Sequence, residues 1–330
     1  MIKSSHRVCA LYVSIFLLST LAAQSPVQAQ AMAWVSSEKD NAIALVDLAQ
    51  GKVTATVPTC KRPRHMQLSP DRKQMMVACS DSNAADIIDL ATRQSVRQVP
   101  LGDSPEIFDV STDGKTIFAS NEDDAELSFI DALSGKKTGQ VKVGKEPEGV
   151  KVSPDGQTVF VTSEVASMVH VINIASKTIK KNIAVGKRPR RFAITPNGQE
   201  LWVSNEMGAS ISVISMKDYS VIDTISLALK GARASDITPV GLVMTQDGKR
   251  AYVTMGRANH VAFIDVGSRK ITEQVLVGKR PWSLALSADE SKLYVVNGLS
   301  DDMTIVDTAK AKALISIPVG RVPHTVVLTP

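Results

Sequence analysis

Aromatic residues and cysteines are scarce in this chain. Phe, Trp and Tyr make up 4% of the 330 residues and there are 3 cysteines, whereas 44% of the residues are hydrophobic. We therefore expect a core built mainly from Val, Ile, Leu and Ala. The sequence also lacks a serine nucleophile elbow, a glycine-rich phosphate loop and a Cys–His pairing. The sequence therefore gives no support for a serine hydrolase with a nucleophile elbow, a nucleotide-binding enzyme with a phosphate loop or a cysteine hydrolase.

The N-terminus has the pattern of a secretory signal peptide. Lys3 and Arg7 precede an apolar run over residues 8–22, and a small-residue site ends at Ala29. The run is too short for a membrane span. We expect residues 1–29 to be removed, residues 30–330 to form one domain, and the mature protein to be periplasmic without a membrane span. Losing Lys3 and Arg7 lowers the formal charge from +5 to +3, a mild value that does not indicate nucleic-acid binding.

A repeat of 42 residues organises the rest of the chain, with one longer repeat of 50. Each repeat contains four runs of alternating apolar and polar residues separated by turn-forming residues, which predicts four antiparallel strands. Four-stranded repeats with a period near 40 residues are typical of β-propellers. The prolines that open the first strand of each repeat are Pro63, Pro105, Pro147, Pro189, Pro239, Pro281 and Pro323.

The two ends of the chain complete one repeat between them. Only one strand fits after Pro323, and residues 33–57 supply three strands with no first strand before them. This predicts an all-β, seven-bladed β-propeller whose C-terminal inner strand joins the N-terminal three strands, which removes two exposed sheet edges. The additional residues of the long repeat fall near 227–237, where they form either a docking flap or a tolerated loop insertion.

Two cysteines remain after signal cleavage, Cys60 and Cys79. Propeller geometry places both at the same rim of one blade. In an oxidising compartment we expect them to form a disulfide, which stabilises the fold by about 3 kcal/mol. The alternative is a pair of unpaired buried thiols.

The residues that follow the repeat prolines form a candidate site around the mouth of the central channel. Paired arginines bind carboxylate or phosphate groups as planar forks, and a tryptophan offers a stacking face. This favours a pocket for a small anionic ligand or for a partner's side chain. The alternative is a ring of rim charges that neutralise one another. The candidate residues are Arg64, His65, Glu106, Glu148, Arg190, Arg191, Trp282 and His324.

Deeper in the channel, the fourth residue after the proline is polar in three successive repeats. We therefore expect Gln67, Asp109 and Lys151 to line one polar side of the channel. His65 and His324 belong to adjacent blades, but two histidines without a third ligand are weak evidence for zinc. We predict no metal site.

The repeats resemble the YVTN type of β-propeller, whose consensus appears at residues 252–255 (YVTM), 294–297 (YVVN) and 202–205 (WVSN). More specific segments include VSSEKDN at 35–41, EPEGVKVSPDG at 146–156 and GKRPW at 278–282. These resemble the periplasmic propellers associated with catabolism that depends on pyrroloquinoline quinone (PQQ). The resemblance extends over the whole mature chain.

This resemblance implies a periplasmic location and an association with PQQ-dependent alcohol oxidation. Together with the absence of catalytic motifs and the charged mouth, it favours a non-enzymatic propeller that binds a partner or a small anionic ligand in support of that oxidation. It implies no catalytic residues and no bound cofactor. The expected partners are a quinoprotein dehydrogenase, a cytochrome or a transporter component, and the protein is expected to be a monomer. Two alternatives remain: a lactonase-type hydrolase with a metal in the channel, and a cofactor-carrying electron-transfer propeller.

Overall fold

The computed structural model describes Met1 and residues 31–330, and in this part of the chain it has seven antiparallel sheets of four strands each. The predicted seven-bladed β-propeller is therefore confirmed. The predicted signal peptide lies outside the described residues. Within residues 31–330, no helix has the length and apolar character needed to cross a membrane.

Blades 1 to 4 follow the repeats of the sequence. Blade 1 contains β1 (Met32–Ser37), β2 (Ala42–Asp47) and β3 (Lys52–Pro58), joined by the last strand of the chain. Blade 2 contains β4 (Pro63–Leu68), β5 (Gln74–Cys79), β6 (Ala84–Asp89) and β7 (Gln94–Pro100). Blade 3 contains β8 (Pro105–Val110), β9 (Thr116–Asn121), β10 (Glu126–Asp131) and β11 (Lys137–Lys142). Blade 4 contains β12 (Pro147–Val152), β13 (Thr158–Ser163), β14 (Met168–Asn173) and β15 (Thr178–Ala184).

Blades 5 to 7 complete the ring. Blade 5 contains β16 (Pro189–Ile194), β17 (Glu200–Asn205), β18 (Ser210–Ser215) and β19 (Val221–Ser226). Blade 6 contains β20 (Pro239–Met244), β21 (Arg250–Met255), β22 (His260–Asp265) and β23 (Lys270–Leu276). Blade 7 contains β24 (Pro281–Leu286), β25 (Lys292–Asn297), β26 (Asp302–Asp307) and β27 (Lys312–Pro318), and β28 (Pro323–Thr329) returns to blade 1. Among residues 31–330, the helical segments are two one-turn 3₁₀ helices, Ser80–Ser82 and Glu206–Gly208, and a short α-helix, α1 (Ala234–Ile237).

Closure of the ring has the predicted form. Strand β28 is the innermost strand of blade 1 and pairs antiparallel with β1, with Val326 opposite Val35 and Val327 opposite Trp34. Val326 is buried in the cluster between blades 7 and 1. The first and last parts of the folded chain therefore share one sheet, which leaves neither of them with an open inner edge.

The core lies between adjacent blades, where each sheet packs its apolar face against the next. The aromatic or large apolar residue of each second strand is buried there, as Phe160, Trp202 and Tyr252 show. The extension in the long repeat is part of this packing. Leu227 and Ile237 at its two ends lie in the cluster between blades 5 and 6, so the segment is anchored at both ends.

The predicted disulfide is confirmed. Cys60 and Cys79 are bonded, with their Cα atoms 5.8 Å apart. Both are buried, and the bond connects the entry to β4 with the end of β5. It therefore fixes the connector that leads from blade 1 to the mouth of the channel.

Candidate functional site

The inner strands bring the candidate residues together at one end of the ring. Each inner strand begins with its repeat proline at the channel mouth, and in five of the seven repeats the next residue lines the same cavity. Arg64, Glu106, Glu148, Arg190 and Trp282 all line this cavity, whose volume is about 390 Å³. The complete lining includes six arginines and five glutamates. The mouth is thus a mixed-charge site, and the pairing of these charges determines its chemistry.

Arg190 is at the centre of the charge network. Its guanidinium approaches three carboxylates: Nη1 donates to Glu164, Nη2 is 3.3 Å from Glu148 Oε1 and Nε is 3.7 Å from Glu206 Oε2. The residue is 4% exposed, and its Cζ lies 5.7 Å from the centre of a Trp282 ring. A buried cation with three acidic neighbours holds the network together but is not free to bind a partner.

Two further arginines are paired in the same way. Arg64 Nη1 forms an ion pair with Glu106, and its Nε lies 3.5 Å from Glu38 Oε1. Arg191 Nη1 donates to Glu148 Oε1 at 2.6 Å. Each pair joins residues of neighbouring blades, so these ion pairs connect blades 1 to 3 and, separately, blades 4 and 5 around the mouth.

The two glutamates of the inner strands have opposite protonation behaviour. Burial and the nearby charge of Glu148 raise the pKa of Glu106 to about 8, although Arg64 opposes this shift. Burial would also raise the pKa of Glu148, but Arg190 and Arg191 outweigh it and hold that pKa at about 2. At neutral pH, Glu148 is therefore a fixed carboxylate, whereas Glu106 can bind and release a proton.

Glu164 is a second carboxyl group whose pKa is raised toward neutrality. Burial and Glu148 raise the pKa of Glu164 to about 7, against the opposing effect of Arg190 and Arg188. Glu164 is bonded to both arginines, with Arg188 Nε at 2.7 Å. Glu164 is not among the residues that line the cavity, whereas Glu106 is.

The two histidines stay neutral. Burial and the charge of Arg191 lower the pKa of His65 to about 4, and burial together with Arg64 lowers the pKa of His324 well below its usual value. His324 stacks on Trp282, with ring centres 5.9 Å apart. Its Nε2 is buried and has no hydrogen-bond partner among the described residues. His324 therefore packs against the indole ring of Trp282 as a neutral side chain.

Trp282 is part of the cavity wall. Arg280 Cζ lies 4.5 Å from the centre of one of its rings. Gly298 is required beside it, since a Cβ there would be 2.3 Å from the indole Nε1. The ring is therefore fixed between His324, two arginines and a glycine, and offers a flat surface at the mouth.

The predicted channel residues lie next to the site. Lys151 Nζ donates to Asp109 Oδ2 at 2.9 Å, and Asp109 also accepts from the backbone N–H of Val152. Gln67 Oε1 is 3.4 Å from His65 Nε2. These residues form a polar side of the channel on blades 2 to 4, where Asp109 and Lys151 already satisfy each other.

Several important residues of the site lie outside the predicted set. Glu38, Glu164 and Glu206 occupy the loops between the second and third strands, and Arg188 and Arg280 precede the repeat prolines. Arg280 Nη2 donates to Glu206 Oε1 at 2.7 Å. The sequence contains a signal for them, since Arg-Pro recurs in three connectors and Glu recurs at the same loop position of successive repeats.

The donor set at the mouth does not fit a metal ion. Within residues 31–330, no group of three or more His, Cys, Asp or Glu side chains is arranged to hold one. The carboxylates of Glu38, Glu106, Glu148 and Glu206 instead face arginines. A divalent cation would meet strong repulsion from these guanidinium groups.

Two family models match parts of the chain. The model described as lactonase, seven-bladed β-propeller, matches residues 177–323. The model of the YNCE-like β-propeller matches residues 80–153. A search of curated proteins found no significant match.

Solved structures show the same fold over most of the chain. The periplasmic gluconolactonase of Pseudomonas aeruginosa is 19% identical, with a TM-score of 0.77, and the match covers 91% of this chain and 99% of that one. A putative 6-phosphogluconolactonase from Bacteroides fragilis is 15% identical, with a TM-score of 0.77 and coverages of 93% and 100%. Hydrazine synthase of Kuenenia stuttgartiensis is 23% identical, with a TM-score of 0.74 and coverages of 84% and 92%.

The non-enzymatic role in PQQ-dependent alcohol oxidation, expected from the sequence, is wrong. The lactonase match favours the hydrolase alternative, and the PQQ association has no support in these matches. The prediction of an anion-binding or partner-binding mouth depended on Arg64, Arg190 and Arg191. In the structure these arginines already form ion pairs with buried glutamates. The chain is a seven-bladed β-propeller that is similar to the lactonase propellers over residues 177–323.

Proposed function

We propose that the protein is a hydrolase that opens the ring ester of a sugar lactone at the channel mouth, without a metal ion. The observation that carries the proposal is the pair Glu106 and Glu148. Both line one cavity, and their surroundings separate their pKa values to about 8 and about 2. Two carboxyl groups driven apart in this way are typical of acid–base sites. The partial lactonase match supports the same reaction class.

In this proposal Glu106 moves the proton. As a carboxylate it accepts a proton from the attacking water, whose oxygen then bonds to the lactone carbonyl carbon. The protonated Glu106 returns that proton to the ring oxygen when the C–O bond breaks, so water and lactone give one hydroxy acid. A group with a pKa near the working pH performs both steps well.

The fixed charges of the mouth stabilise the transition state. The carbonyl oxygen becomes negative when water adds, and Arg64 and Arg190 are cations held at the cavity wall beside Glu106 and Glu148. Because both arginines stay paired with their glutamates, they act on the developing oxyanion through their fixed positive charge and not as free hydrogen-bond donors. Trp282 provides the flat surface against which the apolar face of a sugar ring packs.

We also propose that the protein works in an oxidising compartment such as the periplasm. The buried Cys60–Cys79 disulfide supports this, since such bonds persist where thiols are not kept reduced. Cell fractionation with an antibody to the protein tests the location. Recovery of the protein with cytoplasmic markers would contradict it.

Activity measurements test the function. Residues 30–330 are purified and incubated with glucono-1,5-lactone or 6-phosphogluconolactone in a weakly buffered pH-indicator solution. We expect hydrolysis above the spontaneous rate, and a loss of about 100-fold or more in Glu106→Gln. Glu273→Gln, at an exposed position on β23, is the matched control and keeps full activity. Equal rates for wild type and Glu106→Gln would contradict the proposal.

A further inference from the structure

The end of the ring opposite the channel mouth has a recess between blades 1 and 2. Inner strands begin at the mouth, so the β4–β5 turn, the β6–β7 turn and the end of β28 lie at the opposite end. The recess has a volume of about 600 Å³. Trp34 and Leu45 of blade 1 and Leu90 of blade 2 form its apolar floor, and Arg72, Lys73 and Arg93 stand around it.

Blades 4, 5 and 6 have a long side chain in the turn between the third and fourth strands that reaches the neighbouring blade, whereas blades 1, 3 and 7 have Gly51, Gly135 and Ala311 at this position. In blade 4 this residue is Lys177, whose Nζ lies 5.5 Å from the ring centre of Phe129 in blade 3 and donates to Thr138 O at 2.6 Å. In blade 5 it is Tyr219, which packs edge-on against Phe160 of blade 4 with ring centres 6.0 Å apart. These side chains cover the neighbouring blade and bind to it.

Blade 2 departs from this pattern. Its equivalent residue is Arg93, and the blade 1 residues that correspond to Phe160 and Phe129 are Trp34 and Leu45. Within residues 31–330, the Arg93 side chain has no ion pair or hydrogen bond, although Arg269 at the same position of blade 6 pairs with two carboxylates of blade 5. The space that Lys177 and Tyr219 cover in blades 4 and 5 is therefore open beside blade 2.

The charges around the recess are unbalanced. Arg72, Lys73 and Arg93 are exposed, and the described chain offers none of these three side chains an ion pair. The nearest acidic lining residue, Asp89, uses its Oδ1 to accept from the Thr92 backbone and hydroxyl at 2.8 and 3.0 Å. A recess of about 560 Å³ on blade 5 has Glu200 beside Lys217, so its charges balance. Three cationic side chains and one carboxylate side chain therefore surround the recess between blades 1 and 2.

Two of these cations, Arg72 and Arg93, occupy a left-handed backbone conformation. Arg72 has φ +57° in the turn between the first two strands of blade 2. Most other repeats use glycine with a positive φ at this position, and Glu290 of blade 7 is an exception. The glycines are Gly114, Gly156, Gly198 and Gly248. Left-handed φ values are disfavoured for residues with a Cβ, so blade 2 retains an arginine where glycine would be more stable.

We propose that this recess binds a single-chain anionic amphiphile, such as a fatty carboxylate. The hydrocarbon chain lies on Met32, Leu90 and Ala91, which line the recess with exposed or partly exposed apolar surface above the buried Trp34 and Leu45. The carboxylate is bound by Arg72, Lys73 and Arg93. An apolar floor with a few convergent polar groups is the usual form of a small-molecule site. Guanidinium groups bind carboxylates in a planar, bidentate manner. The inference is independent of the lactonase proposal, because the recess and the mouth lie at opposite ends of the ring.

Titration calorimetry with sodium dodecanoate, below its micelle concentration, tests the site on residues 30–330. Dodecyl maltoside, which has the same chain and no charge, is the ligand control. We expect dodecanoate to bind and dodecyl maltoside to bind at least tenfold more weakly. Arg72→Gly restores the glycine of the other repeats, so it should weaken dodecanoate binding about tenfold and raise Tm.

Arg93→Tyr introduces the residue that fills the equivalent space in blade 5, and both positions have φ +58°. It should abolish binding and keep Tm at or above that of the wild type. Lys217→Gln, beside the blade 5 recess, should leave dodecanoate binding unchanged.

Absence of dodecanoate binding to the wild type, or unchanged binding in both Arg72→Gly and Arg93→Tyr, would overturn the proposal. Equal binding of dodecyl maltoside would overturn the role of the cations. If the protein sediments with anionic vesicles but does not bind free dodecanoate, its ligand is a membrane surface. That result would also overturn the proposed site for a single-chain amphiphile.

Discussion

Replacement of Arg190 by methionine tests whether the charge network at the mouth stabilises the propeller. The substitution keeps most of the apolar stem but removes the cation that approaches Glu148, Glu164 and Glu206. Each carboxylate retains another partner: Arg191 binds Glu148, and Arg188 lies within ion-pair distance of the other two. We therefore expect the lower end of the cost of breaking a buried ion pair, about 3 kcal/mol.

For a domain of this size, that loss lowers Tm by about 5 °C. Thermal unfolding followed by circular dichroism measures it. Arg233→Met is the matched control, since Arg233 pairs with Asp236 on the surface and its side chain is 83% exposed. An exposed pair contributes about 0–1 kcal/mol, so the control should melt within about 1 °C of the wild type. If Arg190→Met also melts within that range, the network does not stabilise the fold.

Three further predictions concern the fold and its pH dependence. Reduction of the Cys60–Cys79 bond should lower the free energy of unfolding by about 3 kcal/mol. Mass spectrometry of the untreated mature protein should find no free thiol, and two free thiols would contradict the bond. A chain truncated after Val322 lacks β28 and should not fold, because β1 then has no inner partner; a monomer with native circular dichroism would refute this closure. His65 has a pKa lowered to about 4, so its contribution to stability is complete above its unfolded pKa near 6.5 and is lost as the pH falls toward 4. The loss is at most about 3 kcal/mol, and His65→Gln should flatten this acid dependence in denaturant titrations; an unchanged slope would contradict the assignment.

The architecture was predictable because it depends on patterns within each repeat. Alternating apolar residues and regularly spaced prolines define the strands, and the unmatched strand after Pro323 defines the closure. The position of the mouth residues follows from the same register. Such local and periodic features need no knowledge of side-chain contacts.

The chemistry of the mouth was harder to predict because it depends on burial and on contacts between repeats. Arg64 and Glu106 are 42 residues apart in the sequence and meet only when two blades pack together. The sequence shows both charges, but not that Glu106 is 2% exposed. Burial is the main cause of its raised pKa, so a residue expected to bind a ligand or partner becomes a candidate proton-transfer group.

The pH dependence of kcat/KM tests the role of Glu106 most directly. Glu106 must be ionised to accept a proton from water, so the enzymatic rate should rise with pH through about 8 and then level off. The rate with Glu106→Gln, measured in parallel, corrects for spontaneous lactone opening in base. A rise with an apparent pKa near 8 in the wild type, absent in Glu106→Gln, is the predicted result. A wild-type profile that is flat from pH 6 to 9, or that is unchanged in Glu106→Gln, would contradict the account.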